Sequence, residues 1–230
     1  MTAQSRTGIR RINAGVIASV SGVLLPVASN LLVPIWQMPS TSASGPEVAR
    51  FVVDQQAALR ATLALDTAGV TLWLIFGGAA WLRLRRVSAS DTLATSLFGV
   101  AFSGMVLLLL AGFTSSFVLA YRTPAPATAQ LLYDLTFALL AMSGMPAAVA
   151  LGAYATVVFT TKRLPRPTGD LAILTAAAHI LLLVSLVTPR GILSLEGPLI
   201  TVVPALLFAW ILTTAPTLRR GLSNERCGSG

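Results

Sequence analysis

Six long apolar stretches, at about 12–36, 62–82, 92–120, 131–160, 171–188 and 199–215, alternate with short polar connections along the chain. A helix rises ~1.5 Å per residue, so about 20 apolar residues cross the ~30 Å hydrocarbon layer of a bilayer. Each stretch reaches that length or comes close to it. The pattern predicts an all-α polytopic membrane protein, a bundle of six transmembrane helices in which residues 1–230 form a single membrane domain.

The connections carry local signals. Residues 37–61 form the longest one and are read as an external loop with an amphipathic helix. Ser44-Gly-Pro-Glu47 fits a capping box, with a proline in the first turn. The mixed sequence at 48–61 then either lies on the outer surface or runs directly into the second span. Within the spans, Pro26, Pro146 and Pro204 predict kinks, because proline removes one backbone donor. Residues 88–91 are read as a cap for the third span and Asp170 as the cap of the fifth. Small residues recur four apart at Gly144, Ala148, Gly152 and Thr156, at Ala14, Ala18 and Gly22, and at Gly112 and Ser116. Such rows let helices approach closely in lipid. The row beginning at Gly144 is expected to pack against a neighbour in the chain, with a homo-oligomer seam as its second use.

Composition narrows the class. The chain is 55% hydrophobic and 10% charged, against about 25% charged in soluble domains. No stretch remains for a soluble domain. The net charge of +8 acquires meaning from position. Twelve of the 16 basic residues fall on alternate connections (Arg6, Arg10, Arg11; Arg83, Arg85, Arg86; Lys162, Arg163, Arg166; Arg219, Arg220, Arg226). Arg50, Arg60, Arg122 and Arg190 fall on the others. Cytoplasmic loops retain Lys and Arg, so both termini are placed inside and 219–230 is read as a flexible cytoplasmic tail. The basic residues then meet lipid headgroups rather than nucleic acid. Fifteen Arg to one Lys in an Ala-rich chain points to a bacterial plasma membrane. Cys227 is the single cysteine, which excludes an intrachain disulfide. The first apolar stretch exceeds the 7–15 residues of a signal peptide and is read as a retained helix.

Ionisable and amide groups within the spans are the candidate chemistry, because burying them in lipid is costly. They are Asp66, Asn30, His179 and Asp134. Counted from the inner basic boundaries at ~1.5 Å per residue, Asp66 lies ~25 Å up and Asn30 ~28 Å up. His179, counted from Asp170 as the start of its span, lies ~13 Å up, and Asp134, counted from Lys162, ~42 Å up on a straight helix, at the interface. Asn30 and Asp66 are expected to meet at the outer end of the bundle, within reach of Arg60, Arg122 or Arg190. That cluster is either structural pairing or a vestibule for a cation or polar ligand. His179 is either a satisfied core histidine or part of a proton relay. A lone histidine lacks the three or four ligands of a metal site. Metalloprotease, nucleophile-elbow and P-loop motifs are not found, and no cofactor is implied.

Four features together resemble a known group. They are the basic amino terminus, the external segment Glu47-Val-Ala-Arg-Phe-Val-Val-Asp54, the Trp81-Leu-Arg-Leu-Arg85 exit and the Arg163-Leu-Pro-Arg166 turn. Over about residues 12–218 the chain resembles uncharacterised six-helix bacterial integral membrane proteins that carry a domain of unknown function. The resemblance implies the six-helix fold and brings no activity or site residues. Three function classes follow, in descending order. The first is a non-enzymatic membrane protein that binds a lipid, small molecule or protein partner. The second is a small secondary transporter with an outward-facing polar vestibule. The third is a lipid-modifying membrane enzyme.

Overall fold

The computed structural model describes residues 3–88, 92–122, 125–185 and 199–219. They form helices α1 (Ala3–Leu32), α2 (Gly45–Asp54), α3 (Gln56–Val87), α4 (Thr92–Tyr121), α5 (Pro126–Met142), α6 (Gly144–Thr161), α7 (Arg166–Val184) and α8 (Leu199–Arg219), and no strand. Six spans are long and apolar enough to cross a membrane, with α5 and α6 together forming one of them. The six-helix bundle read from the apolar pattern is therefore the fold.

Adjacent helices in the chain are neighbours in space, and the two ends meet. α1 packs on α3, α3 on α4, α4 on α5 and α6, α6 on α7, α7 on α8, and α8 returns to α1. The spans thus close into a ring. The half bearing Arg83, Arg85, Arg86 and Lys162 is filled by rings. Trp210, fully buried, meets Phe76, Phe102, Phe98 and Tyr154 at centroid separations of 5.2–6.5 Å. Edge-to-face and tilted arrangements of this kind suit the ring quadrupoles. The opposite half is not filled in this way.

Several local expectations change. The fourth apolar stretch is two helices that meet at Ser143, where Pro146 withholds a donor from the last turn of α5. α3 starts at Gln56, six residues before the expected start of the second span, so Arg60 belongs to the spanning helix itself. α7 starts at Arg166, with Pro165 as its N-cap and Pro167 in the first turn. Asp170 is consequently an exposed residue inside the helix and not its cap; proline in the first turn already sets the start. Lys162, with φ 53°, takes the left-handed conformation that ends α6. The expected cap at 88–91 lies outside the described residues apart from Ser88. Pro124, Arg190 and Cys227 also lie outside them.

The row of small residues on α6 packs at its first two members, Gly144 and the half-buried Ala148. Gly144 faces the backbone of His179, whereas Gly152 meets nothing and Thr156 is exposed. The buried face runs instead through Ala147, Ala150, Leu151, Tyr154 and Val158. The other rows do join helices. Gly22 approaches Trp73 and Gly69 of α3, and Gly112 approaches Thr136 and Leu140 of α5.

Candidate functional site

The unfilled half of the ring encloses a cavity of about 270 Å³. Its position follows from two local events, at Pro26 and at Ser143. Pro26 lies inside α1 without ending it. The carbonyl that Pro26 leaves without a backbone donor is that of Gly22, and the Trp73 indole N–H donates to it at 2.9 Å. This fixes α1 against α3 and places Trp73 on the cavity wall. The break at Ser143 turns α5 away from the line of α6, so α5 packs on α4 and α2 while α6 packs on α7. The Ser143 hydroxyl satisfies the Leu140 carbonyl at 2.6 Å, a group freed by the break.

The connection between α1 and α3 covers the cavity at the end away from Arg83 and Lys162. Val33, Ile35 and Met38, then Phe51 and Val52 of α2, line the cavity. α2 is an amphipathic helix lying on α5, with Val48 and Val52 buried and Glu47, Arg50 and Asp54 exposed. Its start is tied by a capping interaction, the Ser44 amide and hydroxyl donating to Glu47 Oε2 at 2.8 and 2.9 Å. Those bonds, the amide first, hold the Glu47 carboxyl below the usual range, with the nearby Arg50 adding to the effect. Gln55, with φ −109° and ψ 14°, separates α2 from α3. The connection is therefore both of the expected alternatives in sequence: a surface helix, then a turn, then the span. The Tyr133 hydroxyl of α5 donates to the Pro39 carbonyl at 2.5 Å and anchors the preceding loop.

Three of the four candidate residues line this one cavity: Asp66, Asn30 and His179. Asp134 does not, because it sits on the exposed face of α5. Asn30 and Asp66 do not pair. The Asn30 amide donates to the Pro26 carbonyl at 3.1 Å, and Asp66 Oδ1 instead faces the Ser29 hydroxyl at 2.5 Å. Nor does an arginine reach Asp66 among the described residues. Arg60 spends its guanidinium on the carbonyls of Ala120 and Tyr121 at 3.1 Å each. His179 is 5% exposed, and its Nδ1 lies 2.8 Å from the Thr175 carbonyl. A carbonyl only accepts, so Nδ1 carries a proton. In the neutral ring Nε2 is then an acceptor, and it has no hydrogen-bond partner among the described residues.

The expected polar vestibule is thus a mainly apolar cavity with a few polar groups under a helix. Sequence reasoning missed Ser29, Trp73 and the Ser116–Thr136 pair, whose hydroxyls lie 3.0 Å apart across the α4–α5 contact. Continuing the Ala18–Gly22 row four at a time passes through Pro26 and reaches Asn30, which is exposed, whereas its neighbour Ser29 is buried, so the row did not single out Ser29. Among the described residues no cluster of ligating side chains with metal-site composition occurs. No protein-family model, curated protein or solved structure matches the chain.

Proposed function

We propose that this is a non-enzymatic, multi-pass protein of the bacterial plasma membrane that binds a small lipophilic molecule in the cavity between its helices. The observation that carries the reading is the cavity itself. It is predominantly apolar, lined by residues of all six spans and of α2, and carries a small number of fixed polar groups. Those are the properties of small-molecule sites. The orientation follows the basic residues, so the cavity lies in the outer half and α2 faces the exterior.

Two observations favour binding over the other classes. The aromatic packing around Trp210 fills the ring beneath the cavity, which supports a blind site rather than a permeation route. The cavity hydroxyls are engaged with carbonyls or with each other, and none is hydrogen-bonded to His179 among the described residues. A nucleophile paired with its base would need that contact.

Thermal unfolding of the purified protein against a panel of neutral, cationic and anionic lipophilic compounds tests the reading. A compound that binds only the folded state stabilises it by ~2.7 kcal/mol at 100 times its dissociation constant. At least one compound is expected to do so, and Leu109→Trp, which places an indole in the cavity, is expected to abolish the shift. A panel without any stabiliser contradicts the proposal.

A further inference from the structure

The hydrogen-bond inventory of the cavity wall is lopsided. Each hydroxyl and ring N–H lining it already donates within the protein. Trp73 serves Gly22, Tyr133 serves Pro39, Thr136 serves Leu132 at 2.8 Å, and Ser143 serves Leu140. Ser116 serves Thr136, since the Thr136 proton is spent, and Thr62 points to the Ser29 carbonyl at 3.4 Å. What remains toward the cavity is mostly acceptor capacity, the Asp66 carboxyl, Asn30 Oδ1 and His179 Nε2, against one unspent N–H of the Asn30 amide. The Asp66 end is also one hydrogen short. The Ser29 hydroxyl lies 2.5 Å from Asp66 Oδ1 and 2.8 Å from the Pro26 carbonyl, and its single proton serves only one of them.

On the reading that the cavity binds a lipophilic molecule, we propose that this ligand is an amine in its ammonium form. Its N–H groups meet Asp66, and a second hydrogen-bond donor at its far end meets His179 Nε2. A buried acceptor without a donor is costly, and a carboxylate without a counter-charge in an apolar site more so. An ammonium supplies both the charge and the missing hydrogens through charge-assisted bonds. An acid or a phosphate meets the Asp66 carboxylate there, with a single Asn30 N–H as donor. The two acceptors sit on different spans, α3 and α7, around one cavity, so the molecule carries its two polar ends on an apolar body that meets Leu109, Phe113 and Leu207.

The test uses the full chain and four probes that share a ten-carbon body: decylamine, decan-1-ol, decanoate and 10-aminodecan-1-ol. Equilibrium binding is measured at neutral pH below micelle-forming probe concentrations. Decylamine is expected to bind about ten- to hundredfold more tightly than decanol or decanoate, the range of a charge-assisted bond. The amino alcohol is expected to bind more tightly still, and His179→Phe to reduce it to the level of decylamine. Asp66→Asn is expected to erase the preference for amine over alcohol. That preference is measured on the unaltered protein, so it decides the matter even where Asp66→Asn fails to fold. Equal binding of amine and alcohol, both lost in Leu109→Trp, overturns the ammonium assignment and leaves the lipophilic cavity standing. No binding of any probe overturns both.

Discussion

Close approach of α1 and α3 depends on two glycines and the two side chains that face them. A Cβ on Gly69 would lie 2.5 Å from Pro26 Cδ, and one on Gly22 would lie 2.7 Å from Trp73 Cδ1. Neither the proline ring nor an indole held by its own hydrogen bond yields cheaply. Gly69→Ala is therefore expected to cost about 1–3 kcal/mol, the range of core overpacking, seen as a lowered unfolding temperature in detergent. Trp73→Phe keeps most of the apolar contact but strands the Gly22 carbonyl. A loss of about 1–3 kcal/mol, the penalty of an unsatisfied buried group, is expected in the same measurement, with no added effect at Gly78, which meets nothing. The sequence made the proline and the glycine visible as a kink and a small-residue row. It did not make their partner visible, because Trp73 lies 51 residues away and nothing local distinguishes an indole that bonds a helix carbonyl from one that anchors at a membrane surface. The same limit explains why Asn30 and Asp66 looked like partners. Depth along each helix was countable, but the direction each side chain faces depends on which neighbour the helix meets.

Helix ends carry the second set of consequences. The last carbonyls of an α-helix lack internal donors, and at α4 they are served from α3 by Gln56, which donates to Ala120 at 3.0 Å, and by Arg60. Arg60 also lies over the Tyr121 ring, 5.5 Å from its centroid. A cation at a helix C-terminus is favoured by the helix dipole as well. Arg60→Ala is expected to cost about 1 kcal/mol and to raise hydrogen exchange in the last turn of α4, with Arg60→Lys recovering part of the loss. At α2 the relevant charge is Glu47. Its folded-state pKa is lowered, so its contribution is fully present above the ordinary carboxyl value of ~4.3 and is lost as pH falls through the lower folded value. Amide exchange in α2 is expected to rise on acidification through that window, and Glu47→Gln to remove the pH dependence. The cap was legible from Ser44 to Glu47 because it is a contact three residues long. The seating of α2 on α5 was not. It depends on Gly45, where a Cβ would come within 2.4 Å of the Pro126 carbonyl. Gly45→Val is expected to loosen α2 alone, so that a cysteine at Val52, in a Cys227→Ser background, reacts several-fold faster with an impermeant thiol reagent.

The whole molecule is a ring of six spans with an aromatic half and a hollow half. Span number and order were legible, since apolar length is a one-dimensional property of the chain. The hollow was not, because it arises from a mismatch between faces of non-adjacent segments: α5 diverges at Ser143 while α1 and α3 remain locked at Pro26. The orientation proposed from the arginines has its own check. Single cysteines at Ser42 and Ala125 are expected to react with an impermeant reagent in intact cells, and Cys227 to remain unmodified. The most direct measurement of the binding site uses a photoreactive diazirine derivative of decylamine with the purified protein, followed by identification of the modified residues. Modification of cavity-lining residues such as Phe51, Phe113 and Leu140, competed away by unlabelled decylamine and reduced in Leu109→Trp, is the expected result. Modification confined to exposed apolar residues such as Leu24, Val100 and Leu107, without competition, would contradict the cavity as a ligand site.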